Sequence, residues 1–240
     1  EVFKTPEFAM TYSINGKGGV SRTFHRWARQ YKMNQGNRPH DILLNSWEGV
    51  YFKVNQKGMD EMMAAFSAMG GELFVMDDGW FGNKYPRNGG NSSLGDWEVC
   101  PDWILKIDNR PLSTGRGGTQ VVLDLTNPKV QDFVFGVVDN LMTKHPEIAY
   151  MKWDDNCSLL DYGSSYLPKN KQSHLYIEYN RCLVKVLERI RNKYPSLVIQ
   201  LCAGGGGRVN YGLLPYFDEF WTSDDTDALQ RIYMQWGVSS

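Results

Sequence analysis

Tyr150-Met151-Lys152-Trp153-Asp154 and Trp221-Thr222-Ser223-Asp224-Asp225-Thr226-Asp227 are the stretches that decide the fold. Each follows an apolar, strand-like run and leaves carboxylates where that run stops. The same pattern occurs at Ile42-Leu43-Leu44-Asn45-Ser46-Trp47-Glu48, and at Glu72-Leu73-Phe74-Val75-Met76, which leads into Asp77-Asp78-Gly79-Trp80. Residues 120–125 and 197–201 predict further strands; 148–153 and 217–221 are the runs that carry the two acidic ends. Helical patterns fall between them. Met59, Met62, Met63, Phe66 and Met69 recur near helical spacing and Gly70-Gly71 closes the run, which reads as a core-facing helix with a glycine C-cap. Asn127-Pro128 starts a second helix through about Lys144. A third covers 173–194, with Leu175, Tyr179, Leu183, Val186, Leu187 and Ile190 on one side.

Six short apolar runs alternating with helices imply a parallel sheet, either a closed barrel or an open doubly wound sheet. Barrels place active-site groups at the carboxyl ends of many strands, whereas an open sheet concentrates them at one switch point. Acids on at least four strand ends favour the barrel. A chain of 240 residues is long enough for one such domain.

The formal net charge of −1 gives no electrostatic footprint for nucleic acid or an anionic membrane. No stretch approaches the roughly 18 apolar residues of a membrane helix, and the N-terminus lacks a signal-peptide pattern. Cys100, Cys157, Cys182 and Cys202 form no CxxC pair and have no histidine at zinc spacing. They read as free thiols, which fits a reducing compartment such as the cytoplasm. Eight Trp and thirteen Tyr are mostly core packing. Those beside acids suit sugars, whose C–H faces stack on flat rings while their hydroxyls need hydrogen bonds.

Two carboxylates delivered by different strands are the minimum equipment for cutting a glycosidic bond through a covalent intermediate. Lys152 and Asp154 are two apart in an extended run, so their side chains leave the same face. A lysine that close would hold Asp154 ionised as a nucleophile; a structural ion pair is the plain alternative, and Asp155 is the second choice of nucleophile. Asp224 lies nearest its strand end and is the matching candidate acid. Asp227 reads at least as well as a helix N-cap. Asp77 and Asp78 have no accompanying histidine, so sugar hydroxyls suit them better than a metal. The glycine run 204–207 lacks the context of a phosphate loop and reads as close backbone approach to a ligand, with Gly205 among the binding positions. No cofactor is implied.

These residues together resemble glycoside hydrolase family 36, the α-galactosidase family, which also includes raffinose synthases and some α-N-acetylgalactosaminidases. The resemblance rests on Leu44-Asn45-Ser46-Trp47-Glu48-Gly49, Asp77-Asp78-Gly79-Trp80-Phe81, Leu94-Gly95-Asp96-Trp97, Lys152-Trp153-Asp154 and Cys202-Ala203-Gly204-Gly205-Gly206. The spaced set Ser223, Asp224, Asp227 and Arg231 completes it, and the order along the chain is the family's. The likeness implies that Asp154 is the nucleophile and Asp224 the acid/base of a retaining mechanism. It implies that Asp77 and Asp78 hydrogen-bond the galactose 4- and 6-hydroxyls and that Trp47 walls the sugar site. Lys152, Arg116 and Cys202 would line the galactose subsite. The implied fold is a (β/α)8 TIM barrel, with an α-galactoside as substrate and a homotetramer as assembly.

One departure matters. After Leu94-Gly95-Asp96-Trp97-Glu98-Val99 the family continues through a helix and a strand, ending in Trp-x-Glu-Pro, before the segment that matches Pro101-Asp102-Trp103. Here Cys100 joins the two directly. The expectation is one catalytic domain over residues 1–240, an incomplete barrel lacking one internal βα unit and the last strand. The family's N-terminal β-sandwich and C-terminal β-domain are expected to be absent. Two rivals keep the likeness: an α-N-acetylgalactosaminidase or galactosyl transferase on the same fold, and a carbohydrate-binding remnant without turnover.

Overall fold

The computed structural model describes residues 5, 7–107, 110–111, 120–157, 159 and 162–239. The chain divides into two compact units, Glu1–Arg38 with Ile199–Ser240, and Pro39–Val198. In chain order the elements are α1 (Gly16–Trp27), running on into a π-helical turn over Ala28–Lys32, β1 (Leu43–Asn45), α2 (Trp47–Val50), α3 (Gln56–Ala68) and β2 (Leu73–Val75). They continue with β3 (Lys106–Ile107), β4 (Arg110–Pro111), α4 (Pro128–Lys144), β5 (Tyr150–Trp153), α5 (Leu175–Lys193), β6 (Val198–Leu201), β7 (Glu219–Phe220) and α6 (Ala228–Ser239). Among the described residues no helix is long and apolar enough to cross a membrane.

Side-chain chemistry sets the helix ends of the larger unit. The Asn55 side chain accepts the Gly58 N–H at 3.0 Å and starts α3. Beyond its end Gly70 takes φ +87°, a conformation that residues with a Cβ avoid. The Asn127 side chain accepts the Lys129 N–H at 3.0 Å, and Pro128 occupies the first turn of α4, where its missing N–H is no loss. The long helix read over 173–194 begins as a 3-10 stretch, Lys169–His174, before α5 takes over. Leu175, Cys182, Leu183, Val186, Leu187 and Ile190 are its buried residues, and α5 packs against α4. Burying each such aliphatic side chain is worth about 1.5–3 kcal/mol, so this helix pair supplies much of the unit's core. Polar ties flank the contact: Arg189 Nη1 donates to Asp132 at 2.8 Å and the Tyr194 hydroxyl to Asp139 at 2.5 Å.

Five of the six predicted strands form. β1 and β2 pair in parallel, Leu43 opposite Leu73, Leu44 opposite Phe74 and Asn45 opposite Val75. The sixth, over 120–125, does not. Its neighbour is the antiparallel segment before it: Leu105 N–H donates to the Val122 carbonyl at 2.9 Å and Asp124 N–H to that of Trp103 at 2.7 Å. Only an isolated bridge, Ile104 to Leu123, results. The fully buried Asp124 then turns the chain toward α4 by accepting from the Thr126 N–H and hydroxyl and from the Ser164 hydroxyl. An unexpected two-residue antiparallel ladder joins β3 to β4.

In the other unit β6 is buried throughout and pairs in parallel with β7, Gln200 opposite Glu219 and Leu201 opposite Phe220. The buried Asp218 ties this pair to the N-terminal segment: it accepts the Ile199 N–H at 2.7 Å and Asn34 Nδ2–H at 2.6 Å. The Tyr211 ring packs against Phe24 and Trp27 of α1. The architecture is mixed α/β, and the described strands form short ladders that close no barrel.

Candidate active site

In the Pro39–Val198 unit the parallel pairing of β1 with β2 fixes where their acids emerge. Ser46 N–H donates to the Val75 carbonyl at 2.9 Å, and Asp77 N–H returns to the Ser46 hydroxyl at 3.0 Å. Asp77 is thereby held inside, 9% exposed. Its carboxylate accepts Lys152 Nζ–H at 2.6 Å, from β5, and Asn45 Nδ2–H at 2.5 Å, from β1. Burial alone would push this carboxyl up. The Lys152 charge, with hydrogen bonds from Lys152, Asn45 and the Asp78 N–H, outweighs it and holds Asp77 below the usual carboxylate range. Three strand ends therefore converge on one ionised acid. The same-face rule gives Lys152 to Asp154; in the structure its ammonium is bonded to Asp77.

Asp78 is engaged differently. Arg87 grips it as a fork, Nε donating to Oδ1 at 2.8 Å and Nη2 to Oδ2 at 2.7 Å. The Trp47 N–H donates to Asn45 Oδ1 at 2.8 Å, and the Trp47 ring meets the edges of Tyr51 and Phe52. Asp154, the residue after β5, is exposed. One of its oxygens accepts the Asp155 N–H and the other Asn156 Nδ2–H, both at 2.9 Å, so its plane is fixed while it stays open to solvent. Asp155 is half-buried and accepts the Cys157 N–H at 3.1 Å, which leaves Asp154 the more accessible of the two.

The second constellation lies wholly in the unit of Glu1–Arg38 and Ile199–Ser240. Cys202 follows β6 and is 1% exposed. Gly205 has φ +89°, and a Cβ there would lie 2.7 Å from Ser223 Cα and 3.3 Å from Asp224 N. Close backbone approach is thus what this glycine serves, with the approaching chain being the segment that carries Asp224. Asp224 is exposed and accepts the Trp221 indole N–H at 3.0 Å. The Arg231 guanidinium stacks 4.0 Å from the Trp221 ring centroid and donates to the Ser223 carbonyl at 3.0 Å. Asp227 caps α6 by accepting the Gln230 N–H at 2.9 Å, as its N-cap reading expects.

The structure thus brings Asp77, Asp78 and Lys152 together in one unit, and in the other sets Gly205 against the backbone that carries Asp224. Arg116 lies outside the described residues. Arg87 was missed by sequence reasoning because a lone arginine in a Pro-, Asn- and Gly-rich loop gives no sign of which acid it will meet. Asp96 belongs to the motif Leu94-Gly95-Asp96-Trp97. It accepts the N–H groups of Asn83, Lys84 and Tyr85, which hold its carboxyl below the usual range and pin the loop after Phe81. Among the described residues no cluster of three His, Cys, Asp or Glu is placed to hold a metal ion.

A mixed α/β protein with carboxylates at successive strand ends is the class these observations define. The Melibiase family model matches residues 2–100 and again 99–240. α-Galactosidase AgaA of Geobacillus stearothermophilus is 34% identical over 283 residues, covering 100% of this chain and 38% of the relative. Probable α-galactosidase C of Aspergillus oryzae is 34% identical over 291 residues, again across 100% of this chain and 37% of its own length. The crystal structure of AgaA matches 92% of this chain at 32% identity with a TM-score of 0.83, covering 36% of that chain. The α-galactosidase structure from Lactobacillus brevis gives 28% identity, the same TM-score of 0.83 and 35% of its chain. The chain belongs to glycoside hydrolase family 36, the Melibiase-family α-galactosidases. It spans a little over a third of the length of the relatives it matches. The family match divides at residues 99–100, beside Cys100.

Proposed function

We propose that this chain carries the sugar-cleaving centre of a retaining exo-α-galactosidase, which releases terminal α-linked galactose from oligosaccharides or glycans. The observation that carries the reading is the buried Asp77, held ionised by Lys152 and Asn45 beside an Arg-bound Asp78. Two adjacent carboxylate acceptors fixed in orientation suit two hydroxyls on one edge of a sugar, not a single proton transfer. Crystals of AgaA variants hold stachyose in one case and raffinose in another. A terminal α-galactoside is the substrate that extends from them to this chain.

In the proposed reaction the Asp154 carboxylate attacks the anomeric carbon while Asp224, protonated, gives its proton to the leaving oxygen. The C–O bond to the leaving group breaks as the bond to Asp154 forms. Asp224, now a carboxylate, takes a proton from water, and that water's oxygen displaces Asp154 to release α-galactose. The hydrogen bonds from Asp155 and Asn156 would orient the nucleophile, and that from Trp221 the acid/base. Retaining glycosidases as a class hold their two carboxyl groups about 5–5.5 Å apart. The burial of Cys202 and the tight backbone contact at Gly205 support galactose over N-acetylgalactosamine. The whole enzyme would assemble as a homotetramer.

Proton NMR of the first-formed product tests the mechanism. Galactose released from an aryl α-galactoside should appear first as the α-anomer and mutarotate afterwards. First appearance of the β-anomer means single displacement and sinks the nucleophile role of Asp154.

A further inference from the structure

We propose that Arg87 and Phe52 are positioning residues that fix Asp78 as a one-directional acceptor for a galactose hydroxyl, an inference that rests on the α-galactoside reading. The Arg87 side chain is only 2% exposed, so it is sealed from any ligand and acts on the site through the residues it holds, Asp78 first. Its Nε and Nη2 occupy one lone pair on each Asp78 oxygen. A bidentate fork of this kind removes rotation of the carboxylate plane, which a single point contact from lysine does not. An ionised carboxylate offers about four lone-pair sites, so about two remain. The Asp78 side chain is 25% exposed, which leaves those sites accessible.

The fork is itself held. Arg87 Nη1 donates to the carbonyls of Gly89, Gly90 and Ser92 at 2.8, 3.3 and 3.2 Å. The buried Gln120 donates to two of the same carbonyls, those of Gly90 and Ser92, at 2.9 Å each. On its other side the guanidinium lies 5.1 Å from the Phe52 ring centroid. The same ring packs edge-on against Trp47, centroids 4.9 Å apart. Phe52 therefore supports both the arginine behind Asp78 and the aromatic residue proposed as the wall of the sugar site. Tyr51, just before it, takes φ +49° and ψ −129°, a costly conformation for a residue with a Cβ, and this turn delivers Phe52.

Calorimetric titration of the purified chain with D-galactose, 4-deoxy-D-galactose and 6-deoxy-D-galactose tests the proposal, with Arg87→Lys, Phe52→Leu and Asp78→Asn alongside. The wild-type chain should discriminate against the analogue that lacks the Asp78 partner by about tenfold or more, the worth of a hydrogen bond to a charged acceptor. Arg87→Lys should collapse that ratio to within about twofold, as Asp78→Asn does, and leave the ratio for the other analogue intact. Phe52→Leu should weaken the same ratio, and thermal melts report whether each variant is folded. A folded Arg87→Lys that keeps the full ratio, or weakens all three sugars equally, overturns the positioning role and makes the arginine a loop latch. A wild-type chain that binds none of the sugars overturns the α-galactoside reading instead.

Discussion

Replacing Lys152 with methionine is expected to destabilise the Pro39–Val198 unit by about 3–5 kcal/mol, the cost of stranding a buried charge without its counterion. Asp77 and Lys152 have side chains 7% and 17% exposed, so water screens the pair little. Without the ammonium the carboxylate keeps, among the described residues, Asn45 and the Asp78 N–H as donors. Neither neutralises it. The double variant Lys152→Met, Asp77→Asn should recover most of the loss, because a neutral amide needs no counterion. The pH dependence has a definite sign. Asp77 is held below its unfolded value of about 3.8. The pair's contribution is therefore full above about pH 4 and is lost as pH falls through the lowered value. Urea melts of wild type and Lys152→Met should differ most near neutrality and converge in acid. A gap that persists unchanged at low pH contradicts the assignment of the charge to Asp77.

Asp224→Asn is expected to lower hydrolysis of alkyl α-galactosides by about 10²–10⁴-fold, the usual worth of a positioned proton donor. An unactivated alkoxide cannot leave unprotonated, and the asparagine amide has no proton to give. A dinitrophenyl leaving group needs no protonation, so the first step with that substrate should survive. Its turnover would then stall at hydrolysis of the galactosyl-enzyme, visible as a burst of phenolate followed by a slow phase. Equal losses on both substrates would remove Asp224 from the acid/base role and leave its bond to the Trp221 indole as local structure.

The strand ends were legible because each apolar run stops abruptly at polar residues, and β1, β2, β5, β6 and β7 stand where those runs lie. The caps at Asn127 and Asp227 were legible for the same local reason, since a side-chain acceptor needs only the next few N–H groups. Non-local pairing was not. Residues 120–125 have strand composition, yet their partner is the antiparallel segment around Ile104, a choice that depends on chain geometry and not on propensity. α1 is not legible because Gly16, Gly18 and Gly19 lower helix propensity at its start, and packing of Phe24 and Trp27 on Tyr211 compensates. Lys152 shares a face with its sequence neighbour Asp154, while the fold brings Asp77, from beyond the end of β2, to its ammonium. Arg87 depends on a loop fold that no periodicity describes.

Hydrolysis of nitrophenyl α-galactoside by this chain, beside the corresponding α-N-acetylgalactosaminide and with Asp154→Ala as control, tests the central claim most directly. The expected result is turnover of the galactoside, little or none of the acetamido sugar, and complete loss of turnover in the variant. Galactoside turnover that survives in Asp154→Ala, or a folded wild-type chain that cleaves neither substrate, would contradict it.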